Sequence, residues 1–171
     1  QAFKWNKRAA EQGDEECQIA LCFCYMTGRD IEQDLEKAFD WFKCAAKQGN
    51  VTAQYELAHC YMSGYWEVPI DAHGIESTQY PLKHDYKEAE YWFNCAAKQG
   101  HLTAQYKLAE YYQSGVGIEQ DLEKAFEWFK CAAKQGNATA QYKLAELYSA
   151  GSGCDKDPEK AVDWYKNAAE Q

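Results

Sequence analysis

Apolar residues recur at intervals of three and four along most of this chain, which is the spacing of one face of an α-helix. The clearest such face lies in residues 125–133 and consists of Ala125, Trp128, Phe129, Ala132 and Ala133. We expect its largest ring, Trp128, to be buried between helices. A glycine follows each apolar segment, and glycine adopts the left-handed conformation that ends a helix without steric cost. The pattern therefore predicts pairs of amphipathic helices joined by glycine turns.

The same helix pair recurs along the chain. Residues 31–50 and 118–137 differ at one position only, where Asp40 is matched by Glu127. The glycines that close the second helix of each pair are spaced by 36, 51 and 36 residues, and they are Gly13, Gly49, Gly100 and Gly136. A repeat of about 20–50 residues is typical of a solenoid, in which each repeat packs on its neighbours.

This periodicity predicts a single solenoid domain that spans the chain. Its segments are a lone second helix, from a truncated repeat or a cap, and four repeats: 1–13, 14–49, 50–100, 101–136 and 137–171. In the first repeat we predict a helix from Glu15 to Thr27, ended by Gly28, and a second helix capped by Asp34.

The second repeat contains an insertion within residues 65–81. From Gly64 to Asp85 there are 21 residues, whereas the matching step from Gly115 to Asp121 takes 6. Long insertions in compact repeats are usually functional or disordered. This one contains aromatic and aliphatic residues, which disfavours simple disorder.

The third repeat contains a specific set of positions that agrees in register with the other repeats. These positions are Gly100, Ala104, Gln105, Tyr106, Leu108, Tyr112, Gly115, Gly117, Asp121, Lys124, Ala125, Trp128, Ala132 and Ala133. With them the chain resembles the Sel1-like repeat family, which is related to tetratricopeptide arrays. The resemblance implies an all-α fold, a right-handed α/α superhelical solenoid of helix-turn-helix repeats. It also implies work as an adaptor or scaffold.

Five of the eight cysteines share slots in different repeats: Cys44, Cys95 and Cys131 share one, and Cys24 and Cys60 another. Equivalent sites in stacked helices lie about 10 Å apart, whereas a disulfide needs Cα atoms within about 7 Å. Secreted relatives pair cysteines eight residues apart, but here Thr52, Thr103 and Thr139 stand eight residues after those three cysteines. We therefore predict free thiols and a cytoplasmic location. Gln1 is not a natural start, so we expect a fragment or a processed product.

The net charge of −9 disfavours nucleic acid as a partner, because nucleic acid requires a basic surface. The charge suits a basic protein partner, or solubility alone. No apolar run is long enough to span a bilayer, so we expect no membrane insertion.

The sequence contains no recognisable catalytic set. The four histidines form no paired metal motif, and Asp71 with His73 is most simply part of an ordinary loop. No nucleophile with a base can be named, so we predict no enzyme activity, no metal and no cofactor.

The predicted function is protein–protein interaction, with an inhibitor or immunity protein for a cognate toxin as one form. The predicted partner-binding residues lie in the insertion and on the concave face, which the first helices line in related helical repeats: Tyr65, Trp66, Val68, Ile70, His73, Tyr80, Glu56, His59, Lys107, Glu110, Tyr111, Lys143 and Glu146. Tyrosine and tryptophan are favoured binding anchors.

Three alternatives stay open at this point. The insertion's aromatic residues could fold back as a plug over the second repeat, because large exposed apolar patches are rare. Several first-helix slots could belong to the core between repeats, namely Cys24, Cys60, Tyr111 and Leu147. The second class of function is a ligand-binding or weakly hydrolytic enzyme that uses the insertion as a lid.

Overall fold

The computed structural model describes residues 2–28, 31–68 and 78–170 of the chain. Its helices are α1 (Ala2–Glu11), α2 (Glu15–Thr27), α3 (Leu35–Gln48), α4 (Val51–Ser63), α5 (Tyr86–Lys98), α6 (Leu102–Ser114), α7 (Leu122–Lys134), α8 (Ala138–Ala150) and α9 (Pro158–Ala169). Its strands are β1 (Tyr65–Val68) and β2 (Thr78–Pro81). The predicted all-α repeat fold is confirmed. The chain forms two compact units, Gln1–Trp92 and Phe93–Gln171.

Side-chain caps and left-handed glycines set the helix ends. The first helices begin at residues whose side chains accept a hydrogen bond from the backbone N–H three positions later: Asp14, Asn50, His101 and Asn137. The predicted α2, ended by Gly28 with a φ of 70°, is confirmed. The Asp34 cap is confirmed as well, because its Oδ1 accepts from the Lys37 N–H at 2.9 Å. Such caps satisfy N–H groups that lack a partner within the helix.

The core of each unit combines small alanines with a few large side chains. Leu21 and Leu57 are fully buried in the first unit, and Phe93, Phe129 and Leu108 are fully buried in the second. The prediction for Trp128 was wrong, because the structure leaves this ring half-buried.

The neighbouring ring at position 126 explains this difference. Phe126 is only 7% exposed although the sequence pattern left it outside the apolar face. Phe126 and Phe129 lie three residues apart on the same side of α7. Trp128 consequently lies at the edge of the buried stripe.

A buried glutamine joins each first helix to the helix before it. Gln54 Nε2 donates to the carbonyl of Ala46 at 3.0 Å, and Gln105 Nε2 does the same to Ala97 at 3.0 Å. The same carbonyls also accept from the N–H of the closing glycine, at 3.1 Å for Gly49 and 3.0 Å for Gly100, so the glutamine adds a second bond at the helix end. The glutamine in the repeat pattern thus fixes the turn between consecutive repeats.

The insertion contains a short antiparallel hairpin that the sequence did not predict. Strands β1 and β2 pair in register, with Tyr65 opposite Pro81 and Trp66 opposite Tyr80. Four residues per strand are too few for a reliable alternating pattern, and this hairpin stands within a chain whose signal is otherwise helical.

Candidate protein-binding site

The hairpin is inserted without disturbing the frame of the repeat. The N–H of Asp85 donates to the carbonyl of Tyr61 at 3.1 Å, and Asp121 and Asp157 make the matching bond to a tyrosine carbonyl at 2.9 Å. At the hairpin's base, the N–H of Leu82 donates to the carbonyl of Gly64 at 2.9 Å. The exit from one helix and the entry into the next are therefore held as in the short-loop repeats.

His84 takes the place that a glutamine fills in other repeats. Its Nδ1 lies 3.0 Å from the carbonyl oxygen of Met62, and because a carbonyl oxygen only accepts, Nδ1 carries the proton. Gln120 Nε2 makes the equivalent bond to the carbonyl of Gln113 at 2.8 Å. Both ends of the insertion thus keep the bonding of a short loop.

The described part of the hairpin packs on α3. The Trp66 ring is stacked on Phe42 with centroids 5.8 Å apart, and it lies 5.6 Å from Phe39. Tyr80 lies 6.4 Å from Phe39, and Trp66 is only 7% exposed. Trp66 as an exposed partner anchor is therefore corrected, because its ring is buried against α3. The predicted plug lay over the second repeat, whereas this contact is made to the first.

The other predicted insertion residues have different outcomes. Tyr65 and Tyr80 are half-buried, so each presents part of its ring to solvent. Val68 lies in β1. Ile70 and His73 lie outside the described residues. A partner-binding role for these positions stays a prediction.

A surface cavity opens where the base of the hairpin meets α3 and α4. We call it the hairpin cavity; its volume is about 320 Å³ and its lining residues are Glu36, Phe39, Asp40, Lys43, Tyr61, Tyr80, Leu82, Lys83 and Asp85. A second cavity of about 350 Å³ lies at the matching place one repeat earlier, between Phe3, Tyr25 and the loop that leads to Asp34. The place is thus a feature of the repeat, and the hairpin supplies extra walls to one copy of it.

A phenylalanine–tyrosine pair lies at this place in three repeats. Phe39 meets Tyr61 edge to face at 6.3 Å, as Phe126 meets Tyr148 at 5.2 Å. The third pair is Phe3 with Tyr25 at 5.7 Å.

A lysine lies over the tyrosine in the short-loop repeats. Lys160 Nζ is 5.5 Å from the centroid of Tyr148 and 2.8 Å from Oδ2 of the cap residue Asp157. The same arrangement joins Lys37 to Tyr25 and Asp34, and Lys124 to Tyr112 and Asp121. Three residues after the hairpin repeat's cap, Asp85, the chain has Glu88 instead of lysine.

Sequence reasoning missed Glu88, although the signal was present in the repeat pattern. The repeats read Asp-x-x-Lys at this point, and the second repeat reads Asp85-Tyr86-Lys87-Glu88, with lysine and glutamate exchanged. The Glu88 side chain is anchored, because its Oε2 accepts a hydrogen bond from Trp92 Nε1 at 2.9 Å.

The predicted first-helix positions form an ion-pair surface in the second unit. Lys107 pairs with Glu110 at 3.0 Å, and Lys143 pairs with Glu146 at 3.0 Å. The Tyr106 hydroxyl donates to Glu110 at 2.8 Å. Burial, followed by this hydrogen bond, raises the pKa of Tyr106 to about 12. Hydrogen bonding to Glu146 also raises the pKa of Lys143.

The first unit presents a different first-helix surface. Glu56 is exposed, His59 is half-buried, and the neighbouring Phe23 is 54% exposed. Of the slots left open between surface and core, Cys60 is 2% exposed and Leu147 is 3% exposed, so both belong to the core. Cys24 and Tyr111 are half-buried.

The described residues provide no metal cluster. Within residues 2–28, 31–68 and 78–170, no group of three or more His, Cys, Asp or Glu side chains is placed to hold a metal ion. In the same part of the chain, no helix has both the length and the apolar composition needed to cross a bilayer. All eight cysteines lie in these described residues and no disulfide joins any two of them; their chemical state in solution stays a prediction.

These features define an α/α repeat protein whose consecutive helix pairs share caps, glutamine links and aromatic pairs. The Sel1 repeat family matches residues 1–14, 15–50, 51–73, 76–101, 102–137 and 138–171. The chain therefore belongs to the Sel1 repeat family, and the resemblance noted from the sequence is confirmed. The second repeat matches in two parts that are separated, within the insertion, by residues 74–75.

Two solved structures are similar over 99% of this chain. A protective antigen present in uropathogenic Escherichia coli strains, which displays this repeat fold, is 34% identical with a TM-score of 0.72. A Sel1 repeat protein from Oxalobacter formigenes is 28% identical, also with a TM-score of 0.72. The chain spans 33% and 63% of the length of these two proteins.

A more distant likeness concerns the fold alone. Helicobacter pylori cysteine rich protein B is 17% identical, with a TM-score of 0.51, over 81% of this chain and 88% of that one. A search of the curated proteins finds no match. Sel1 repeat proteins are protein-interaction scaffolds and are typically not enzymes.

Proposed function

We propose that this chain is a protein-interaction scaffold that contacts its protein partner at the hairpin and the cavity at its base. The observation that carries the proposal is the unchanged frame around the insertion. Asp85 and His84 make the bonds of a short loop, so stacking of the repeats does not require a hairpin there. Insertions that stacking does not require are often the binding elements of repeat proteins.

The hairpin combines an anchored base with exposed parts. Trp66 is fixed against α3, which holds the hairpin in one place before a partner arrives. Half-buried Tyr65 and Tyr80 and the exposed Lys83 remain available for contact. A preorganised surface binds more tightly because less conformational freedom is lost on association.

The first-helix side chains extend this surface within the first unit. Glu56 is exposed and His59 is half-buried, and we assign them to the same partner surface. In the second unit, the Lys107–Glu110 and Lys143–Glu146 pairs are a separate candidate contact surface. A net charge of −9 favours a basic partner. A cognate toxin with a basic active-site rim is one form such a partner takes.

Replacing the hairpin by a short loop tests the proposal. Residues 64–84 are exchanged for residues 115–120, which supply the same junction bonds. In affinity capture from a lysate of the source organism, we expect the variant to lose at least tenfold in affinity for the native partner, equal to about 1.4 kcal/mol. A variant with residues 115–120 replaced by residues 28–33 is the matched control and should bind normally.

Two results would overturn the proposal. One is unchanged capture by a folded hairpin-replacement variant. The other is an equal loss with the control loop exchange, because that would place the partner away from the hairpin. Circular dichroism and Tm confirm that each variant is folded before binding is compared.

A further inference from the structure

In the hairpin repeat, a lysine and a glutamate have exchanged places. The other repeats have a lysine of their own at the position that Glu88 occupies here. In the first, third and fourth repeats, a lysine three residues after the cap aspartate lies 5.1–5.7 Å over a tyrosine ring and pairs with that aspartate. In the second repeat this position is Glu88, and Lys87 takes the preceding position. The charge at this position therefore changes from +1 to −1, and the charge at the preceding position changes from −1 to +1.

The groups that hold the lysine elsewhere are all present. Asp85 caps α5 through Oδ1, which accepts from the N–H of Glu88 at 3.1 Å. In Asp157 the other carboxylate oxygen, Oδ2, pairs with Lys160. Tyr61 occupies the slot of Tyr148 and lines the hairpin cavity together with Asp85. Among the residues that the structure describes, no ammonium group lies over Tyr61 and none pairs with Asp85.

The lysine that does enter this cavity is not a substitute. Lys43 Nζ lies 5.2 Å over Phe39 and pairs with Asp40 at 2.7 Å. This is the arrangement of Lys130 over Phe126, paired with Glu127 at 3.2 Å. The second unit thus has two lysines around its aromatic pair, Lys130 and Lys160, and the matching place in the first unit has Lys43 and Glu88.

The electrostatics around Tyr61 agree with this geometry. Burial raises the pKa of the Tyr61 hydroxyl, Lys43 opposes the rise, and the carboxylates of Glu88 and Asp85 add to it. A further carboxylate, Glu36, lines the cavity without an ion pair in the described residues. Lys83 is the only other cation among the lining residues.

We infer that the hairpin cavity receives an arginine or lysine side chain of the partner, which takes the place that Lys37, Lys124 and Lys160 fill in the other repeats. The cation lies over Tyr61 and is paired with Asp85, which lines the cavity. Glu88 does not line the cavity and is bonded to Trp92, so it adds negative charge nearby without closing the cavity. Aromatic faces attract cations, and hydrogen bonds between charged groups are the stronger ones.

The size of the cavity restricts the occupant. At about 320 Å³ it lies at the lower limit of small-molecule pockets, which suits one side chain rather than a larger ligand. Its lining includes three carboxylates and two lysines, so its negative charge disfavours anions. The hairpin residues Tyr80 and Leu82 add walls that the short-loop repeats lack. This inference rests on the proposed function, because the side chain is assigned to a protein partner.

A defined peptide tests the inference without the native partner. The probe is a capped Ala-Ala-Arg-Ala-Ala peptide, with the same peptide containing lysine, citrulline or glutamate for comparison. Citrulline has nearly the shape of arginine without its charge. At low ionic strength we expect the arginine and lysine peptides to produce saturable NMR shifts in the backbone amides of Tyr61, Leu82 and Asp85, and the citrulline and glutamate peptides to produce none.

The matched variant is the exchange Lys87→Glu with Glu88→Lys, which restores the repeat pattern and leaves the net charge unchanged. We expect it to weaken binding of the arginine peptide at least tenfold, because its own lysine occupies the place. Glu88→Gln keeps an acceptor for Trp92 and removes the charge, and it should weaken binding severalfold. Glu123→Gln in the third repeat is the control of equal charge and should leave binding unchanged.

Each result decides between the alternatives. Equal binding of citrulline and arginine peptides would overturn the inference, as would unchanged arginine binding in both the exchange variant and Glu88→Gln. A loss of binding with Glu123→Gln equal to that with Glu88→Gln would reduce the effect to net charge and would also overturn it. Peptide results that support the cation place, together with native capture that survives hairpin replacement, would reject the proposed function alone.

Discussion

Two loops of very different length each connect the first helix of a repeat to its second helix: Gly64 to Asp85 and Gly151 to Asp157. Each leaves a first helix through a left-handed glycine and enters a second helix through a cap aspartate. In both loops the aspartate N–H donates to the carbonyl of a tyrosine in the first helix, at 3.1 Å and 2.9 Å. The junction, rather than the length, determines whether the repeat can stack.

The ring beneath each loop is buried to the same extent. Phe39, beneath the hairpin, is 6% exposed, and Phe126, beside the short loop, is 7% exposed. The short loop packs closely, since a Cβ on Gly153 would lie 2.0 Å from the carbonyl oxygen of Leu122. The hairpin and the short loop therefore cover the ring beneath them to the same extent. What it adds is the Trp66 contact, extra cavity walls and a different arrangement of charge.

This comparison explains why a long insertion is tolerated. The entropy of closing a loop rises slowly, by about 0.6 kcal/mol for each doubling of its length. The stacking of Trp66 on Phe42 offsets a cost of that size. The insertion can therefore supply a new surface while the repeat around it stays intact.

The largest expected effects come from truncating the two matched rings. Phe39→Ala and Phe126→Ala should each lower the free energy of unfolding by about 3–5 kcal/mol, the range for a buried phenylalanine. We expect the larger loss for Phe39, because Trp66 and Tyr80 both pack on it. Urea denaturation measures both. Equal losses would indicate that the hairpin gains nothing from its contact with α3.

Trp128→Ala is the control for this pair of variants. Its ring is half-buried, so it should cost less than Phe126→Ala. An equal or larger cost would restore the interpretation of Trp128 as the main core ring of α7.

The hairpin's own anchor should have the next largest effect. Trp66→Ala should lower the free energy of unfolding by about 1.5–3 kcal/mol, the value of burying a large apolar side chain. The amides of β1 and β2 should then exchange faster with solvent, because a two-stranded hairpin is marginal without a packed face. Tyr65→Ala, at a half-buried position of the same strand, should cost less. Full protection of both strands in the Trp66 variant would contradict the anchoring role.

The comparison of loops also indicates where sequence reasoning succeeds. Helix α2 and the caps could be read from the chain because each end has a local cause, such as Asp34 or Gly28. Such signals act within four residues of the helix end, and in this chain they recur in several repeats. The buried face of α7 was predicted less accurately, because a small rotation of that face about the helix axis replaces Trp128 by Phe126.

The site depends on contacts that no local pattern contains. The packing of Trp66 on Phe39 and Phe42 joins residues of α3 to a strand more than twenty positions later. The exchange of Lys87 and Glu88 is visible in the sequence, but its meaning depends on the place of the Tyr61 ring. The Cys60 slot is likewise buried, at 2% exposed, although the helical pattern left it open between surface and core.

The caps of the first helices allow a smaller test across the two units. His101 Nδ1 accepts from the N–H of Ala104 at 3.1 Å, whereas Asn50 and Asn137 provide an amide oxygen at 2.8 Å and 2.7 Å. His101→Asn should keep stability within a few tenths of a kcal/mol, and His101→Ala should cost about 0.5–2 kcal/mol. Thermal denaturation measures both. An equal loss in the two variants would show that this histidine acts through other contacts.

The smallest expected effect is on how stability depends on pH. It concerns the aspartate–lysine pair, which the hairpin repeat lacks at its cap. Hydrogen bonds to the backbone N–H and the side chain of Lys124 lower the pKa of Asp121 below its ordinary value of 3.8, and Asp34 and Asp157 have lowered pKa values through bonds to Lys37 and Lys160. A carboxyl group with a lowered folded pKa contributes its full stability above the unfolded value, and it loses that stability as pH falls through the folded value.

Asp121→Asn keeps an acceptor for the cap but does not titrate. The decline of the free energy of unfolding between pH 4 and pH 2 should therefore be shallower in this variant than in the parent chain. Asp121→Ala should flatten the decline equally but start from a lower stability at pH 7, because the cap itself is lost. An unchanged decline in both variants would mean that Asp121 titrates alike in the folded and unfolded chains. The role of Lys124 would then be limited to its contact with the ring of Tyr112, which corresponds to Tyr61 in the hairpin repeat.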